Sequence, residues 1–279
     1  MICTDLVYLR PGTPEEAVSA WLDHAGRGKP GDVRYLAGGT EIVTGARRLA
    51  AVPRVLIDLK SLAETRAIAC DAAGLYLGAA LSLNEAADPA AFPLLSAAVR
   101  NVADRSVRNR LSLGGNVAGA LPYREAVLPL LLADATVESV VPGTGPGAAP
   151  SRRVRALSEA FDKRLSLEPG ELVLGFRIPA LAASLPWAHF RRTRTGPVDY
   201  PLVTACFMPA PRPEGGGGNP PLRVAFTGLH PYPVLFQSAE SAEAALRAPG
   251  TVRKDQRASA EYRLALALDM LKRGKEALS

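Results

Sequence analysis

The chain has 279 residues, a length that suits two domains at roughly 100–200 residues each. Hydrophobic residues make up 48% and charged residues 22%, an ordinary globular composition, and no apolar run approaches the roughly 18 residues that would span a bilayer. The net charge of +6 sits largely in two arginine runs, 152–155 and 191–194, but only 6% of residues are aromatic and no stacking aromatics interleave with the arginines, which argues against nucleic acid.

Val7-Tyr8-Leu9 reads as a short strand ended by Pro11. Thr13-Pro14-Glu15-Glu16 signals a helix start: Thr13 as cap, Pro14 in the first turn, acids beside the positive end. That helix carries Val18, Trp21 and Leu22 on its apolar face and stops before Gly26. Val33 to Ala37 is a strand, Gly38-Gly39-Thr40 a tight turn, and about Glu41 to Leu49 a helix. Val55 to Leu59 is apolar throughout and reads as a buried strand. A compact α/β lobe is expected from this order.

A second lobe begins near Leu75-Tyr76-Leu77-Gly78-Ala79. Ser82 is a helix cap, and Pro93 to Val107 reads as one longer helix. Leu111 to Asn116 forms another glycine-rich turn, and Ala135 to Val140 alternates like a strand. The proline- and glycine-rich stretch from Gly143 to Pro150 is a loop. A third part opens near Pro169 with a strand at Leu172–Pro179, followed by strands at Ala188–Arg192, Val203–Met208 and Leu222–Thr227. The chain ends in helices at Ser241–Arg247 and Ser259–Leu271, the latter with Tyr262, Leu266 and Met270 on one face. The expected division is residues 1–167, in lobes of about 1–59 and 60–167, and residues 168–279.

Several motifs fail on inspection. Gly26-Arg27-Gly28-Lys29-Pro30-Gly31 matches GxGxxG, yet a helix precedes it and a strand follows, the reverse of the dinucleotide fingerprint. The three cysteines, Cys3, Cys70 and Cys206, lie far apart with no CxxC pair, so this chain's thiols alone build neither an iron–sulfur nor a zinc site. That usage suits a reducing, cytoplasmic setting, and the N-terminus shows no signal-peptide pattern. His24, His189 and His230 have no ligand spacing, and no nucleophile–base arrangement is apparent. Two glycine-rich turns remain, Ala37-Gly38-Gly39-Thr40-Glu41-Ile42 and Ser112-Leu113-Gly114-Gly115-Asn116. Glycine lets backbone amides approach an anion, and a following helix adds partial positive charge. A structural turn is the commoner explanation of either one alone. Two of them in successive lobes suggest a diphosphate held between the lobes.

The chain resembles the FAD-binding subunit of the molybdenum hydroxylases, the xanthine dehydrogenase and carbon monoxide dehydrogenase family. Ala37-Gly38-Gly39-Thr40 is similar to that family's first flavin loop, and Leu77-Gly78-Ala79 to its Ile-Gly-Ala strand. Val107-Arg108-Asn109-Arg110-Leu111-Ser112-Leu113-Gly114-Gly115-Asn116 resembles its Ile-Arg-Asn-x-Ala-Thr-Ile-Gly-Gly-Asn signature. Pro122 and Glu125 stand where the family has Pro-x-x-Asp, and Asp255 to Arg263 resembles its C-terminal helix motif. The resemblance implies an α+β fold: a two-lobed FAD-binding domain of the vanillyl-alcohol-oxidase type, then a smaller domain of a sheet with helices.

It also implies roles. Residues from Leu36 through Ile42, with Gly38, Gly39 and Thr40 at the pyrophosphate, would form the first FAD loop. Gly114 and Gly115 would hold the same pyrophosphate, with hydrogen bonds from Ser112 and Asn116. Ile42 and Leu174 would lie against the isoalloxazine ring, and Glu125 would reach the ribose. Partners would be a molybdopterin-binding large subunit and a small subunit with 2Fe–2S clusters, and reduced FAD would pass electrons to NAD or another acceptor. Departures from the family pattern include Glu125 for aspartate, Gly119 where relatives carry a hydroxyl or small polar residue, and larger leucines at 111 and 113. Arg124, unusual beside the site, could stabilise phosphate or simply be solvated, and solvation is the expectation. The rival readings are an assembly subunit that has lost FAD and a self-contained flavin oxidase.

Overall fold

The computed structural model describes residues 5–26, 31–48, 52–145, 147–211 and 219–279. Cys3, the middle of the GxGxxG-like stretch, Leu49 and the glycine run 215–218 lie outside these residues. Among the described residues, no helix is long and apolar enough to cross a membrane.

The first lobe follows the expected order: β1 (Val7–Leu9), α1 (Pro14–Ala25), β2 (Val33–Leu36), α2 (Thr40–Arg47) and β3 (Val55–Asp58). Its strands are parallel with β3 central, because each crossover runs through a helix. Thr13 and Glu16 close a reciprocal capping box at the start of α1. Ala17 and Val18 form the buried stripe of α1, whereas Leu22, expected in that stripe, is exposed.

The second lobe comprises α3 (Ala63–Arg66), β4 (Ile68–Asp71), β5 (Gly74–Gly78), α4 (Leu83–Ala87), α5 (Pro93–Val99), α6 (Arg105–Arg108), α7 (Leu113–Ala118) and α8 (Val127–Leu132). It continues through β6 (Thr136–Val141), β7 (Ser151–Ala156), α9 (Leu157–Ala160), the tiny hairpin β8 (Phe161–Asp162) and β9 (Arg164–Leu165), β10 (Leu172–Pro179) and α10 (Ala180–Ser184). The single helix expected over Pro93–Val107 is two. Ala103 has φ 56°, and Asp104 starts a new helix by accepting from the Val107 amide at 2.8 Å.

β10 is the central strand of an antiparallel sheet ordered β4-β5-β10-β6-β7. A division at 167/168 would cut it away from β5 and β6, its hydrogen-bonded neighbours. We propose instead that the division falls after α10.

The third part is a four-stranded antiparallel sheet, β11 (Ala188–Thr193), β12 (Pro201–Pro209), β13 (Leu222–Thr227) and β14 (Val234–Phe236), with helices α11 (Ala239–Arg247) and α12 (Ala260–Ala277). Alternation along β12 explains its burial from Pro201 to Met208: Ala205 and Phe207 pack with α11 and α12, while Cys206 and Met208 join the second-lobe core. The buried stripe of α12 is Arg263, Ala267, Met270, Leu271 and Gly274, so the expected face is rotated and Tyr262 points outward. Arg263 is fully buried, with Leu202 O and Gly228 O accepting from Nη1 and Asp255 from Nη2.

Candidate functional site

The first glycine turn sits between β2 and α2. Gly39 is the N-cap of α2 at φ 74°, a left-handed conformation that costs glycine little. No side chain caps this helix, so its first-turn amides lack both an intrahelical acceptor and a substitute. They form a ready donor set for an anion, at the positive end of the helix. Gly38 serves a different need: a Cβ there would stand 1.8 Å from Arg110 O and 3.1 Å from Ser112 N. The two glycine-rich segments therefore touch, backbone against backbone.

The second segment has another local structure than the first. Ser112 is the N-cap of α7 and its Oγ accepts from the Gly115 amide at 3.2 Å. The Leu113 and Gly114 amides donate to Leu81 O and Ala79 O, each at 2.8 Å. These amides are thus committed within the protein. Gly114 is small because Ala79 lies against it, its Cβ 2.8 Å from where a Gly114 Cβ would be.

Between the lobes and the third part lies a cleft of about 650 Å³, within the range of roughly 300–1,000 Å³ usual for ligand pockets. Ala37, Gly38, Gly39, Thr40, Glu41 and Ile42 line it from one side, and Ser112, Gly114, Gly115 and Asn116 from another. Glu125 also lines it. Two expected residues do not. Leu36 lies under the turn, 2.8 Å from where a Gly39 Cβ would be. Leu174 falls in the irregularity between Val173 and Gly175, where the β6–β10 register shifts, and its side chain joins the first-lobe core with Val18 and Ile57. Leu172 and Val173 line the cleft instead.

Glu125 is engaged already. Its carboxylate accepts from Arg191 Nε at 2.9 Å and from Thr204 Oγ1 at 2.8 Å, and burial, the largest influence, pushes its pKa up. Glu41 lies at the far end of α7: its Oε2 accepts from the Ala120 amide at 3.4 Å, and a Cβ on Gly119 would meet its Oε1 at 2.7 Å. Glycine at 119 is therefore the room that Glu41 occupies. Arg124, expected in solvent, is 2% exposed: its guanidinium lies over Phe161, centroid distance 5.0 Å, and Nη2 donates to Lys163 O.

The sequence reading missed Tyr35, Tyr123, Arg191, Asp199 and Tyr200 among the lining residues. Tyr35 donates to Gly170 O at 2.7 Å, with its pKa raised by burial. Arg257 holds Asp199 at 2.7 Å, keeping that carboxyl well below its usual pKa. Strand alternation carries a usable signal for Arg191: it points inward from β11 while Arg192 points out.

The sequence profile described as the FAD binding domain in molybdopterin dehydrogenase matches residues 3–181. The chain belongs to this family. Its cofactor is FAD, and it is an oxidoreductase subunit of the molybdenum hydroxylase family. The chain is 28% identical over 302 residues to the carbon monoxide dehydrogenase medium chain of Hydrogenophaga pseudoflava, covering 99% of this chain and 98% of that one. It is 25% identical to the xanthine dehydrogenase FAD-binding subunit of Escherichia coli O157:H7, covering 95% and 93%. The solved carbon monoxide dehydrogenase from Hydrogenophaga pseudoflava, in a form lacking the Mo-pyranopterin moiety, superposes with TM-score 0.81 at 26% identity, covering 100% of this chain and 98% of that one. Quinoline 2-oxidoreductase from Pseudomonas putida 86 gives TM-score 0.76 at 25% identity, covering 100% and 98%. The α+β fold inferred for this family is the fold observed.

Proposed function

We propose that this FAD-binding subunit carries electrons between an iron–sulfur subunit and NAD or another acceptor, within a hetero-oligomer that also contains a molybdopterin-binding large subunit. The observation that carries the reading is the uncapped start of α2 opening onto the cleft where both glycine-rich segments meet. The names of the relatives support the assembly: they are a medium chain, a subunit beta and FAD-binding subunits.

The residues present fit the cofactor. The amides at the start of α2 and the Thr40 hydroxyl would hold the diphosphate, in a place where Gly38 lets the second segment close in. Gly114 and Gly115 would shape the opposite wall more than donate to it, since their amides are taken. Asn116 would contribute its side-chain NH₂, its Oδ1 already accepting from the Ala126 amide at 3.2 Å. Ile42 and Val173 would form the apolar wall for the flavin ring. Glu125 would approach a ribose only by giving up part of its bonding to Arg191 or Thr204. When bound, FAD supplies the redox chemistry, and the chain positions it and excludes water.

The test is to purify the chain co-expressed with its partners, release the ligand by heat, and identify it by absorbance and chromatography. FAD near one per chain is expected, and in the assembled complex its reduction should follow substrate addition. Bound flavin without such reduction would end the electron-transfer reading while leaving the binding site intact.

A further inference from the structure

The charged residues lining the cleft are Glu41, Arg124, Glu125, Glu171, Arg191 and Asp199. Ion pairs neutralise most of them: Glu125 with Arg191, Glu171 with Arg155, and Asp199 with Arg257. Among the described residues, Arg124 is the lining cation without a carboxylate at ion-pair distance. One nitrogen donates to Lys163 O and the guanidinium face covers Phe161, but the buried Nε and Nη1 have no hydrogen-bond partner.

A guanidinium taken out of water with two donors unmade is costly, and among the described residues Arg124 is the one side chain with two such atoms. An anion would complete them, and the surroundings fix its place. The β8–β9 hairpin that holds Arg124 packs on α7, the helix of the second glycine-rich segment. Burial and the charge of Arg164 press the Arg124 pKa down, and the charge of Glu41 acts the other way. Arg124 lines the same cleft as Gly39 and Thr40 of the first glycine turn and Gly115 of the second, while the Glu41 carboxylate lies at the far end of α7. The Lys163 carbonyl and the Phe161 ring hold the side chain in place before any ligand arrives.

We propose that Arg124 is a further ligand of the FAD diphosphate, donating from Nε and Nη1 to phosphoryl oxygens and gaining there the counter-charge the protein does not provide. The proposal rests on the FAD-binding reading and extends it to a residue outside the glycine turns.

The experiment uses full-length apoprotein freed of flavin, titrated with FAD, with ADP as competitor, and with riboflavin, which has no phosphate. Arg124→Met keeps an apolar stem over Phe161 and removes the donors. It should weaken FAD and ADP alike by about 10- to 100-fold, the scale of charge-assisted hydrogen bonds, and leave riboflavin unchanged. Its apoprotein should melt no lower than wild type, because a buried unpaired cation has been removed. Unchanged FAD affinity in Arg124→Met, or an equal loss for riboflavin, overturns the proposal and leaves Arg124 a packing residue. If Arg124→Met does not fold, Arg124→Lys decides on the same readout: it keeps the charge but not the fork, so FAD should weaken and riboflavin should not. Wild-type apoprotein that binds neither FAD nor ADP would refute the FAD reading itself, an outcome distinct from either variant result.

Discussion

Arg191 of β11 donates through Nε to Glu125 Oε1 at 2.9 Å, and both side chains are almost wholly buried, 7% and 2% exposed. The pair ties the C-terminal sheet to the segment that follows α7. Removing one member strands the other charge. Arg191→Met should lower unfolding stability by about 3–5 kcal/mol, measured by denaturant titration, and the double variant with Glu125→Gln should recover much of it. A single-variant loss below about 1 kcal/mol would show that the pair behaves like an exposed one.

Gly38 and Gly26 make a contrast in space. A Cβ at 38 would sit 1.8 Å from Arg110 O, whereas at 26 it meets nothing within 4 Å. Gly38→Ala is expected to cost about 1–3 kcal/mol or more by overpacking and to lose FAD, because the two glycine segments must move apart. Gly26→Ala should be neutral or slightly stabilising. Thermal melts and flavin-to-protein absorbance ratios check both.

Val173 and Leu174 separate wall from core. Leu174→Ala should cost about 2–5 kcal/mol while leaving the flavin spectrum unchanged, as befits a side chain buried with Val18 and Ile57. Val173→Ala should shift the flavin absorbance bands at smaller cost. A spectral shift from Leu174→Ala alone would reverse the assignment.

His189 gives the stability a pH dependence. Burial, with Arg191 adding to it, lowers its pKa from 6.5 to about 4, so the folded protein keeps it neutral while the unfolded chain takes a proton near 6.5. Its contribution is whole above pH 6.5 and is lost as pH falls toward about 4, a loss of about 3 kcal/mol at roughly 1.4 kcal/mol per pH unit. His189→Phe should flatten that slope in unfolding experiments across the same window.

Arg263 anchors α12 through Leu202 O, Gly228 O and Asp255, with no exposed surface of its own. Arg263→Met leaves two carbonyls and a carboxylate short of donors and should cost about 3–5 kcal/mol by denaturant unfolding. Because Asp255 also accepts from the Arg257 and Ala258 amides, and Arg257 holds Asp199 at the cleft, flavin retention should fall as well.

The first lobe was readable because its signals are local: a capping box at Thr13, a glycine pair, and a run of apolar strand residues. The cleft-lining glycines, Ile42 and Asn116 followed from the motifs that contain them. What escaped depends on distant partners. β7 reads as a solvated arginine run until Val137 and Ser139 pair with it. The strand at Leu172–Pro179 looks like the start of something new until β5 and β6 flank it. Leu174 packs in the core rather than on the cleft wall, beside a register shift between strands that leaves no mark in the sequence of one of them. Arg124 was read as solvated because its burial comes from Phe161 and Lys163, 37 and 39 positions away.

The cleft draws its lining from Tyr35 through to Pro201, and its rim is steadied by Arg257 near the far end of the polypeptide. A ribosome that has released only the two lobes has therefore made an incomplete receptacle, missing Arg191 and the 198–201 segment. The walls of the cleft are completed late in synthesis, after the terminal sheet has emerged and paired.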